Sequence, residues 1–126
     1  MIRRPISTTA APGAIGPYSQ GVRAGGLFYT SGQLPLTADG QMIRDDIADA
    51  ARQALENVRA ILTAGGASMK DVVKVTIYLA DMAHFATVNE VYARFFAEPY
   101  PARTCIAVSR LPLDAPLEIE AQAVVG

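Results

Sequence analysis

A two-layer α+β sandwich, with two helices on one face of a mixed sheet of about six strands, is the fold this sequence predicts. Three observations lead there. From Asp45 to Ala64, apolar residues recur at helical spacing and form one stripe: Ile47, Ala51, Ala54, Leu55, Val58, Ile61 and Leu62. Short runs rich in β-branched residues flank it, DVVKVTIYLAD being the clearest. A chain of 126 residues, 51% hydrophobic and 18% charged, can bury a core without disulfides, so residues 1–126 read as one domain.

The elements follow in the order β-β-β-α-β-α-β-β. IRRPIS is a short first strand, placed at an edge by Pro5. TTAAPGAIGPYSQ is a loop by its proline and glycine content. GVRAGGLFYTSGQLP is a hairpin turning at Gly25-Gly26. Asp45 or Asp46 caps the first helix and Gly65-Gly66 stops it. Arg52 and Glu56, four apart, form a pair on its wet side. In the next strand Val73, Val75, Ile77 and Leu79 share a face. Asp81 caps a second helix with a stripe of Phe85, Val88, Tyr92, Phe95 and Phe96, ended by Pro99 and Pro101. Strands at Arg103–Ser109 and Leu117–Val125 complete the sheet. In the last, Leu117, Ile119, Ala121, Ala123 and Val125 point one way, at the helices; Glu118, Glu120, Gln122 and Val124 point the other. The second face of the sheet therefore carries carboxylates and faces solvent or a cleft between subunits.

Composition excludes several classes of function. The formal net charge is −1 and basic residues are scattered, so no nucleic-acid footprint is expected. One histidine and one cysteine cannot build a metal site of the usual spacing. The glycine-containing GGLFYTSG and AGGAS match no nucleotide fingerprint, so neither cofactor nor metal is expected. MIRRPIST lacks a following apolar stretch, no run approaches membrane-spanning length, and a lone thiol fits a reducing cytosol. A cytoplasmic protein with no membrane partner is the expectation.

Arg103 stands at the mouth of an apolar strand in YPARTCIAV. Its planar fork suits a carboxylate ligand. An ion pair with Glu118, Glu120 or Asp114 is the equally open structural reading. Glu120 is either a working carboxylate or a solvated one. Tyr18, in a loop, can bind or merely pack. Cys105 has no histidine beside it and reads as a small buried hydrophobe. Asn89 is a mediocre helix former in mid-helix, which hints at a side-chain hydrogen bond. His84 is a surface or capping residue.

IGPYSQGV (15–22), YTSGQLP (29–35), FATVNEVYARFF (85–96), PARTCIAVSRLP (101–112) and LEIEAQAV (117–124) together resemble the RidA (YjgF-type) family of imine/enamine deaminases. The likeness runs in order along nearly the whole chain. It implies a chorismate-mutase-like fold and a homotrimer with active sites between subunits. It also implies cofactor-free hydrolysis of 2-aminoacrylate, 2-iminobutyrate and similar 2-imino acids to 2-oxo acids and ammonia. By resemblance, Arg103 holds the substrate carboxylate and Glu120 orients and activates water. Tyr18, Ser31, Gly32, Asn89 and Cys105 line the pocket. Two features depart from the family pattern: the short stretch FFAEPYPAR before the arginine, which leaves side-chain preference open, and Gln122. A non-catalytic trimeric binding or chaperone-like protein, a ribonuclease, and a pathway-specific deaminase such as one for 2-aminomuconate are the competing readings.

Overall fold

The computed structural model describes residues 2–126. Strands β1 (Arg3–Ile6), β2 (Gly21–Ala24), β3 (Leu27–Thr30), β4 (Val72–Leu79), β5 (Ala102–Ala107) and β6 (Leu117–Val124) form one sheet in the order β1-β2-β3-β6-β4-β5. β4 and β5 run parallel and the other neighbours antiparallel, so the sheet is mixed, as expected. A parallel pair needs a crossover, and helix α2 (Phe85–Tyr92) supplies it between β4 and β5. Helix α1 (Ile47–Gly65) spans the gap between β3 and β4 in sequence. Among the described residues no helix is long and apolar enough to cross a membrane.

The core lies between the sheet and the two helices. Val75, Ile77 and Leu79 of β4 stand opposite Ala121, Ile119 and Leu117 of β6. They pack with Leu55, Val58, Ile61 and Leu62 of α1 and Val88 of α2 in one cluster. Each such aliphatic side chain contributes about 1.5–3 kcal/mol by leaving water. Of the α1 stripe predicted from spacing, Ala51, Ala54, Leu55, Val58, Ile61 and Leu62 are buried, Ile47 is half-buried, and Ala50 and Asn57 are buried beside them. Asp46, not Asp45, caps the helix: its carboxylate accepts from the Asp49 N–H at 3.1 Å. Gly66 takes the left-handed conformation (φ 102°) and closes the other end.

Three local expectations change. Val73 does not share the face of Val75; a β-bulge between Val72 and Lys74 puts Val72 in the core and leaves Val73 47% exposed. Arg52 reaches Asp49 at 3.7 Å and Glu56 pairs with Arg59, so both helix pairs are three apart instead of four. Asp81 caps a short 3-10 turn (Met82–His84) leading into α2, and α2 ends at Tyr92. The N–H groups of Arg94 and Phe95 bond three residues back and tighten the exit, so Phe95 and Phe96 leave the helix. Phe96 still reaches the core by stacking on Tyr92, ring centroids 4.6 Å apart.

Candidate functional site

The residues singled out from sequence gather in two places, on opposite faces of the sheet. Arg103 lies in β5 opposite Val75, a core residue, so its side chain rises on the helix-covered face. There its Nη1 donates to Asn89 Oδ1 at 2.6 Å. The guanidinium carbon sits 4.8 Å from the centroid of Tyr92 and 5.6 Å from that of Phe85. None of the carboxylates considered as its ion-pair partner reaches it: Asp114 is bound by Arg110, and the glutamates lie across the sheet. A cation held by an amide and two rings keeps its charge for an external anion. Asn89, Tyr92, Ala93, Tyr100, Pro101 and Arg103 line a cavity of about 420 Å³. The Tyr92 hydroxyl, buried there, has no partner among the described residues; burial raises its pKa, against an opposing pull from Arg103.

On the other face, Glu118 and Glu120 share β6 with Gln122, opposite Tyr78, Thr76 and Lys74 of β4. The segment after β3 is laid against them. Gln33 exchanges both backbone hydrogen bonds with Ile119, at 2.8 and 3.0 Å. Buried Asn57 of α1 holds the same segment by donating to the carbonyls of Leu34 and Leu36 at 3.2 and 2.8 Å. Gly32 thereby meets the Glu118 carboxylate so closely that a Cβ would lie 2.4 Å from Oε2. Ser31 donates to the Ser19 carbonyl at 2.6 Å, joining this segment to the Tyr18 loop. Buried Gln20 shapes that loop: its side chain accepts from Thr8 N–H at 2.7 Å and donates to the carbonyls of Thr8 and Pro12 at 3.0 and 2.8 Å. Tyr18, Ser31, Gly32, Glu118 and Glu120 then line a second cavity, also about 420 Å³.

The two glutamates are not equivalent. Glu120 Oε1 accepts from the Tyr78 hydroxyl at 2.9 Å. That bond, followed by burial, raises the Tyr78 pKa and keeps the phenol a donor. Burial, and after it the charge of Glu120, pushes the Glu118 pKa up. A carboxyl with raised proton affinity beside one held by a donor is an arrangement suited to moving a proton.

Comparison with known proteins agrees along the chain's length. The profile of the endoribonuclease L-PSP family matches residues 8–125. The chain belongs to this family, the YjgF/RidA family. Over 122 residues it is 48% identical to the 2-iminobutanoate/2-iminopropanoate deaminase of Salmonella typhimurium, covering 94% of this chain and 95% of that one. The crystal structure of Escherichia coli TdcF with bound serine is 50% identical with a TM-score of 0.93, covering 98% and 99% of the two chains. That of the E. coli YjgF gene product is 46% identical with a TM-score of 0.92, covering 98% and 99%.

In this YjgF/RidA chain, Arg103 and Asn89 form one set, and Tyr18, Ser31, Gly32 and Glu120 the other. Cys105 lines neither cavity. It stands opposite Ile77, partly buried against the core, and burial pushes its thiol pKa up while Arg103 pulls the other way. A small neutral residue packed against the core, outside both cavities, is what that environment supports. Four side chains in or beside the cavities carry no site role in the sequence analysis: Glu118, Tyr78, Tyr92 and Tyr100. Glu118 was within reach, because it shares a strand face with Glu120 two residues on. Gln122 occupies the same open face, between Tyr29 and Lys74.

Proposed function

We propose that this chain is a cofactor-free deaminase of reactive 2-imino and enamino acids, such as 2-iminobutyrate and 2-aminoacrylate, acting at sites shared between copies of a homotrimer. The observation that carries the reading is Arg103: a partly buried guanidinium with an amide and two aromatic rings around it and no carboxylate partner among the described residues. It supplies a receptor for a substrate carboxylate, and such charge-assisted bonds are worth about 1.5–3 kcal/mol. The acid–base groups lie on the far face of the same sheet, so one copy gives its arginine and a neighbour its glutamates. Exposed Leu27, Tyr29, Val73, Ile106 and Val124 on and around the open face support its burial against another copy. A single thiol suits work in the cytoplasm.

In the reaction, water adds its oxygen to C2 of the iminium while a glutamate takes one of its protons and the C=N pair moves to nitrogen. The same proton passes to nitrogen, the C2–N bond breaks with its electron pair, and ammonia leaves. The hydroxyl then closes to the ketone and its proton goes to solvent. General-base assistance of this kind contributes about 10²–10⁴-fold. Geometry favours Glu118 for the proton, because it is the desolvated carboxyl against Gly32; Glu120, the sequence expectation, is tied to Tyr78 and tunes its neighbour.

Mixing two strongly impaired variants tests the reading. Arg103→Ala and Glu118→Gln, dissociated and reassembled together, regain about a quarter of parental imine hydrolysis, since random mixing pairs an intact arginine with an intact glutamate at that fraction of sites. Mixed oligomers seen by native mass spectrometry without recovered activity would sink the shared site.

A further inference from the structure

We infer that the Arg103 cavity is built for 2-imino acids with large apolar or aromatic side chains, and that Tyr100 sets this preference. The inference rests on the deaminase reading and adds the substrate class. With a carboxylate on Arg103 and C2 turned towards the neighbour's glutamates, the side chain of a substrate lies against the other walls of this copy: Tyr92, Ala93, Tyr100 and Pro101, with Asn89 occupied by the arginine. Two aromatic rings, a proline ring and a methyl group make these walls, and Arg103 is the only charged residue among them. An acidic side chain would compete for that cation, and a basic one would meet it as a like charge.

Size points the same way. The cavity of about 420 Å³ falls in the range of about 300–1,000 Å³ that encloses drug-sized ligands. A substrate with one or two side-chain carbons leaves most of the apolar wall wet. Tyr92 is 6% exposed, fixed by the core and by Phe96, so it is a rigid floor. Tyr100 is 56% exposed and held between Pro99 and Pro101, so its ring is free to cover a ligand without giving up core contacts. Aromatic rings gain most against such surfaces by offset or edge-to-face packing.

The test is competition between two imines made in situ by an L-amino-acid oxidase, one from phenylalanine and one from 2-aminobutyrate, with semicarbazide trapping what the enzyme leaves. The aromatic imine is expected to match or exceed the small one in kcat/KM. The ratio should fall about tenfold in Tyr100→Ala and be kept in Tyr100→Phe. Discrimination of more than tenfold against the aromatic imine, or a ratio unmoved by Tyr100→Ala, overturns the inference while leaving the deaminase standing. Failure to hydrolyse either imine refutes the deaminase reading itself, and this inference falls with it.

Discussion

Adding one methyl group at Gly32 isolates the carboxylate opposite it. A Cβ built there lies 2.4 Å from Oε2 of Glu118, 2.7 Å from its Cδ and 3.0 Å from its Cγ. Ordinary contact begins at 3.4 Å, so Gly32→Ala obliges the carboxylate to retreat by about 1 Å. The obstacle is the far end of a flexible side chain, so folding loses little: a side chain pushed off its rotamer costs about 0.5–1.5 kcal/mol. Chemistry loses more, because a misplacement of about 1 Å can cost about a hundredfold in rate. The assay pairs kcat for 2-iminobutyrate with urea denaturation, and the expected result is a fall of about a hundredfold in kcat with stability changed by less than about 1.5 kcal/mol. Gly32→Ala combined with Glu118→Gln should then be little worse than Glu118→Gln alone, because both act through one group. Additive losses, or a Gly32→Ala enzyme with parental kcat, refute the reasoning.

Asn89→Ala removes the acceptor on Arg103 Nη1, and KM for a 2-imino acid should rise about tenfold with kcat less affected; steady-state kinetics that move kcat alone would contradict this. Asn57→Leu leaves the Leu34 and Leu36 carbonyls without their donor and should cost about 2 kcal/mol in urea denaturation. The raised pKa of Glu118 fixes two pH effects. Its folded value exceeds its unfolded one, so its stabilising contribution is full below the ordinary carboxylate range and is lost as pH rises through the folded value. Glu118→Gln should therefore gain more stability over the parent near pH 7 than at about pH 4, and should also lose the acid limb of the kcat/KM profile, which in the parent lies above the ordinary carboxylate range.

Much of this was legible from periodicity. The alternation in LEIEAQAV assigned Glu118 and Glu120 to the open face, and the α1 stripe named most of its buried residues, missing Ala50 and Asn57. What escaped depended on register. Arg103 belongs to the helix side because the parallel ladder sets it opposite Val75, and nothing inside PARTCIAV states which residue of β4 it will face. The bulge that turned Val73 outward is likewise a property of the β4–β6 pairing. The alternatives for Arg103 were divided by the same fact, since the glutamates proposed as its partners lie across the sheet. Tyr78 meets Glu120 only through two strands far apart in sequence, and a reading along one strand has no means of joining them.

Because β4 separates β5 from β6, the groups that would recognise a substrate and those that would move its protons hang from different strands and different loops. Substitutions around Tyr92 and Tyr100 can reshape the ligand's surroundings without touching Glu118, Glu120 or Gly32. On the proposed reading the fold is modular: new selectivity can be acquired on the helix side while the carboxyl groups of the open face stay as they are.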